Sequence, residues 1–133
     1  MINYSRGPLK INQELWNNSE EGSEELSMSP QLRYSKDSNY VGVQLDMVIG
    51  YDSTPAVKLG FLIGMDCEGW TKMFEDGWTP TDDRKPLYEL CSIFWQLATG
   101  VVAASTTTDL RNGFILPTMD VEQLADMLAL VPS

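Results

Sequence analysis

The 133-residue chain predicts an α+β fold: a four-stranded antiparallel sheet arranged as a meander, one long helix packed on it, and a short C-terminal helix. Three observations predict it. Apolar residues alternate almost without a break from Tyr40 to Cys67. A stripe at intervals of three and four runs from Leu87 to Val101. Asp120, with Gln123 three residues on, then opens a second and shorter apolar stretch. The first pattern has the period of strands and the second that of a helix, and the third is a capping box.

The elements follow in order. Leu9, Ile11, Gln13 and Leu15 alternate with Lys10, Asn12 and Glu14, which predicts a first strand ending near Trp16. Asn17 to Ser29 is rich in glutamate and serine and has only Leu26 and Met28 as apolar residues, so it reads as a solvated acidic loop. Gln31 to Ser35 reads as a short second strand, turned at Lys36-Asp37-Ser38-Asn39. The third strand spans Tyr40 to Gly50 and places Val41, Val43, Leu45, Met47 and Ile49 on one face. A turn at Asp52 to Pro55 leads to a fourth strand, Val57 to Cys67, with Val57, Leu59, Phe61, Ile63 and Met65 on one face. Short connections favour antiparallel neighbours.

Gly69 interrupts the pattern after the fourth strand, and Trp70 and Trp78 flank the loop that follows. The long helix is expected to begin near Asp82 or Asp83, with Pro86 in its opening turn, and to run to about Ala104. Leu87, Leu90, Cys91, Phe94, Leu97, Ala98 and Val101 form its apolar stripe. Phe94 and Trp95 point about 100° apart on a helix, so the stripe predicts one ring on the sheet and the other on a second surface, such as a partner subunit. Phe114 to Pro117 is a short extended segment ahead of the last helix. No internal repeat or linker divides the chain, so residues 1–133 are expected to form one domain.

Composition narrows the function. A net charge of -10 disfavours binding to a nucleic-acid backbone, where affinity comes from cations on phosphates. It fits a soluble protein, a basic partner, or a polyanion mimic. The chain has no histidine, which removes the commonest general base. Its two cysteines, Cys67 and Cys91, lie in apolar company and read as buried thiols, with no metal site expected. No phosphate-binding loop, dinucleotide fingerprint or nucleophile elbow is present. Asp66 and Glu68 are the best carboxylate pair, but no third group accompanies them, so an enzyme is not expected. No cofactor is expected. No apolar run approaches the roughly 20 residues of a membrane span, and the N-terminus has no signal-peptide pattern, so a cytoplasmic location is expected.

The chain holds four tryptophans, at positions 16, 70, 78 and 95. Tryptophan buries much area at little entropic cost and is enriched in binding hot spots. Trp70, Phe74, Trp78 and Trp95 are the candidate binding residues.

The order of pieces resembles the SecB family. The residues that carry the resemblance are Phe61-Leu62-Ile63-Gly64-Met65 leading to Gly69-Trp70, the helix opening at Pro86-Leu87-Tyr88, and Ile115-Leu116-Pro117 before Asp120. The resemblance implies a cytosolic chaperone, assembled as a dimer of dimers, that holds unfolded or extended polypeptide without ATP. In the export members it also implies protein transport and docking of the SecA motor through an acidic patch. Those members carry a glutamate where this chain has Gly64, which argues against motor docking here. The competing expectation is an acidic inhibitor that mimics nucleic acid and blocks a basic partner.

Overall fold

The computed structural model describes residues 2–35, 39–66 and 85–132. Among these residues, five strands and three helices follow in the order β1 (Ile2–Ile11), α1 (Gln13–Asn18), β2 (Glu25–Tyr34), β3 (Tyr40–Tyr51), β4 (Thr54–Asp66), α2 (Lys85–Thr106), α3 (Val121–Met127) and β5 (Ala129–Pro132).

The sheet differs from the expected meander in two ways. It has five strands, and its order is β1-β4-β3-β2-β5. β2, β3 and β4 are joined by successive antiparallel pairings, but β1 pairs with β4 and not with β2. That is a Greek-key arrangement, in which the long connection through α1 carries the chain back across the sheet. β5 pairs with β2 in parallel, Gln31 opposite Ala129 through Tyr34 opposite Pro132, so the sheet is mixed. Four residues at the end of an amphipathic helix give too short an alternation to announce a strand.

Two further boundaries move. Gln13 to Asn18 is a helix, because the Asn12 side chain caps it, accepting from the Leu15 N–H at 3.2 Å. Glu25 to Ser29 is not loop but the first half of β2, with Leu26 and Met28 packed against the core. Leu26, Met28, Pro30, Leu32 and Tyr34 in fact alternate, and Glu25, Ser27 and Ser29 are the solvent face of a half-buried strand.

The expected turn at Asp52 is a two-residue hairpin in which Asp52 (φ 49°) and Ser53 (φ 65°) both adopt the left-handed conformation. Such a turn matches the twist of the paired strands. The core lies on one face of the sheet. Val41, Val43, Leu45 and Ile49 of β3, with Val57, Phe61 and Ile63 of β4, are buried beneath Leu87, Leu90, Phe94, Ala98 and Val102 of α2. Phe61 and Phe94 meet at a ring-centre distance of 6.3 Å and join the two layers. Leu87–Thr106 has the length and mean hydropathy (1.3) of a bilayer-crossing helix. Here its apolar stripe is instead the roof of the sheet, except that Leu97 lies outside it and is exposed.

Candidate functional site

Arg111 is the most constrained side chain outside the apolar core. It is 6% exposed, and it follows α2 in a segment with no regular structure. Its guanidinium lies 3.6 Å from the centre of the Trp16 ring and 5.7 Å from that of Tyr51. It donates to the Trp16 carbonyl at 2.9 Å and to the Tyr51 hydroxyl, and it pairs with Glu24. Trp16 returns the connection: its Nε1–H donates to the Thr106 carbonyl at 2.8 Å. The Thr106 hydroxyl donates to the Val102 carbonyl and accepts from the Phe114 N–H at 2.7 Å. One buried cation therefore ties α1, the approach to β2, the end of β3 and the linker after α2. A buried cation needs such pairing, because leaving water costs it far more than any one contact returns.

Sequence reading missed this node. Its signal was a single arginine between Leu110 and Asn112, in a chain with few cations, and only three-dimensional proximity connects it to Glu24, 87 positions away.

The linker is held a second time farther along. Trp95 is 9% exposed, and its Nε1–H donates to the Pro117 carbonyl at 3.0 Å. The expectation that Phe94 and Trp95 serve different surfaces is met in direction: Phe94 faces Phe61 and Trp95 faces the linker. The second surface, however, is part of the same chain. Leu116 is buried, while Ile115 and Leu110 stand 66% and 77% exposed. Ile93 and Leu97, one turn apart on α2, are also exposed, as are Met127 and Tyr4. Trp70, Phe74 and Trp78 lie outside the described residues, as does Glu68; Asp66 is exposed at the end of β4.

The second face of the sheet carries no helix among the described residues. It is paved with small and polar side chains, among them Ser27, Ser29, Gln44, Asp46 and Gly60. A shallow depression of about 360 Å³ crosses it, between Pro8, Lys10 and Lys58 on one side and Ser27 and Ser29 on the other. A hydrogen-bonded row runs over this face from Arg33 Nε to Gln44 Oε1 (2.7 Å) and from Gln44 Nε2 to Asp46 Oδ2 (3.0 Å). Among the described residues no three His, Cys, Asp or Glu side chains cluster closely enough to hold a metal ion. Cys91 is buried in the core.

No family model and no curated protein matches the sequence. Among solved structures, the fold matches "Mycobacterium tuberculosis Rv1957 SecB-like chaperone in complex with a ChAD peptide from Rv1956 HigA1 antitoxin", with a TM-score of 0.50, 12% identity, and 90% of each chain covered. The chain is SecB-like in fold. At 12% identity the likeness extends to architecture and not to side chains. Seen within the SecB-like fold, Gly64 lies on the open face of β4, opposite Gly42 and Asn3. The Tyr40 ring covers it, and a Cβ there would overlap that ring. This position therefore holds an aromatic ring packed on glycine.

Proposed function

We propose that this chain is a SecB-like polypeptide-binding protein that holds unfolded or extended clients without ATP. The observation that carries the reading is the apolar surface around a rigidly held linker. Leu110 and Ile115 are largely exposed, although Arg111 and Trp95 lash the same segment to the body of the fold. Exposed aliphatic side chains on a pre-ordered backbone can take up apolar side chains of a client without paying to order themselves. The solved SecB-like structure, which holds an antitoxin peptide, supports the same reading.

Trp70, Phe74 and Trp78 are the aromatic contacts proposed for the client, and Trp95 is the buried side chain that holds the linker in position. Each contact is modest, so affinity depends on client length and on several subunits acting together. A homo-oligomer, dimer or tetramer, fits Ile93 and Leu97, which form one exposed stripe on α2. A cytoplasmic location and a polypeptide partner, in place of a nucleic acid or membrane, complete the proposal.

The test is suppression of aggregation of a chemically denatured protein by the purified chain, without nucleotide, across a range of salt. Suppression that persists at high salt is expected. Binding that collapses with salt would favour the acidic decoy, because charge-driven contacts are screened. A strictly monomeric chain with no suppression would end the chaperone reading.

A further inference from the structure

We propose that the outer edge of β2 is a docking edge for extended polypeptide, and that β5 is the chain's own strand occupying one end of it until a client displaces it. The inference rests on the polypeptide-binding reading above and locates a contact within it.

β2 has ten residues, Glu25–Tyr34, and β3 pairs with all of them on one side. On the other side β5 reaches only Gln31 to Tyr34. Glu25 to Pro30 has no strand partner there among the described residues. Pro30 sets the phase of this edge. Lacking an N–H, it fits a strand only where its nitrogen faces away from the ladder. Backbone groups alternate in direction along a strand, so Leu26, Met28 and Leu32 direct their N–H and C=O outward with Pro30. Leu32 meets β5, whereas Leu26 and Met28 have no strand partner on that side among the described residues.

An edge of this kind recognises one chemical class, an extended peptide backbone. β5 demonstrates the geometry, since it already lies there in parallel. The side chains specify the pattern. On the helix side the edge offers Leu26 and Met28, both partly exposed, which suit apolar client residues at alternate positions. On the open side it offers Ser27, Ser29 and Gln31, which accept almost any polar residue.

β5 is suited to displacement. It has four residues and a parallel pairing; Leu130 and Val131 are only half-buried and Ala129 is exposed. A client that replaces it also gains the outward backbone groups of Leu26 and Met28 and the Pro30 carbonyl. Occupancy of the edge by β5 lowers apparent client affinity by the fraction of time the edge is closed.

The experiment compares three forms of the full chain in a background with Cys67→Ala and Cys91→Ala, with circular dichroism confirming that each is folded. The first is the background itself. The second carries Gln31→Cys with Ala129→Cys, which staples β5 to β2 when oxidised. The third lacks residues 129–133. The probe is reduced, carboxymethylated lactalbumin, a permanently unfolded chain, and binding is read by fluorescence anisotropy. The oxidised staple is expected to weaken binding about tenfold or more, with recovery on reduction, and the truncation to tighten it. In the background protein, the Leu26 and Met28 amides should gain protection from hydrogen exchange when the probe binds. Equal affinity in all three forms, with no added protection at these amides, overturns the docking edge and leaves the chaperone reading standing. No binding by any form removes both.

Discussion

Arg111 is where a single residue does most to hold this fold. Its guanidinium satisfies the Trp16 carbonyl, the Tyr51 hydroxyl and the Glu24 carboxylate at once, and it stacks on an indole. Replacing it with methionine keeps the bulk but strands Glu24 in a site where that side chain is only 8% exposed. The expected cost is about 3–5 kcal/mol, the usual penalty for removing one partner of a buried pair. Urea denaturation checks it, and Arg111→Met with Glu24→Gln should recover part of the loss. A loss below 1 kcal/mol, typical of an exposed ion pair, would mean the node is solvated. Trp16→Phe is the milder probe. It removes the donor to the Thr106 carbonyl and should cost about 1–3 kcal/mol if that carbonyl stays dry. The sequence offered little warning of either role, since an arginine in a polar stretch and a tryptophan at the end of an alternating run look ordinary until the fold brings them together.

At the scale of elements, the backbone supplies cleaner tests. Ser53 holds φ 65° at the tip of the β3–β4 hairpin, where its Cβ works against the conformation. Ser53→Gly should therefore stabilise the protein by about 1 kcal/mol, read as a Tm raised by a few degrees. A fall in Tm would show that the serine side chain makes a contact that outweighs the strain. Gly100 sits within α2, and a Cβ there meets no atom within 4 Å. Gly100→Ala should add about 0.5–1 kcal/mol, the entropy saved by a helical alanine. If the substitution lowers stability at high protein concentration and not at low, the outer face of α2 is packed against another copy. Asp120 caps α3 by accepting from the Glu122 N–H at 3.0 Å. Asp120→Ala should cost about 1 kcal/mol by equilibrium unfolding, and by loosening α3 it should also raise hydrogen exchange in β5, which follows directly. The long strands and the long helix were legible because each runs through several periods. α1 and β5 were not: each is too short for periodicity, and one depends on a cap and the other on a neighbour.

For the whole molecule, the arrangement of exposed apolar surface carries the prediction. Ile93 and Leu97 form a stripe on the helix that roofs the sheet, and both are exposed. Light scattering of the purified protein is expected to give a dimer or tetramer. Ile93→Glu with Leu97→Glu should reduce the mass to a smaller species with the fold intact. An unchanged mass would place the self-association elsewhere or remove it. The client surface proposed above draws on Leu110 and Ile115 of the linker and on Trp70, Phe74 and Trp78, which lie outside the described residues. The aromatic richness of the segment bearing those three was visible in the composition. The exposure of Leu110 and Ile115, and the burial of Trp95 beside them, were not, because both follow from how the linker is pinned.

The sequence alone determined the local periods: which residues of β3 and β4 share a face, that α2 has one broad apolar stripe, and that Asp120 opens a helix. These are contests between neighbours along the chain, settled by side-chain alternation and capping. Only the tertiary structure decided that β1 crosses to β4, that β5 closes on β2, and that Arg111 lies between Trp16, Tyr51 and Glu24. Those outcomes depend on which distant surfaces bury each other, and burial energy is indifferent to separation along the chain.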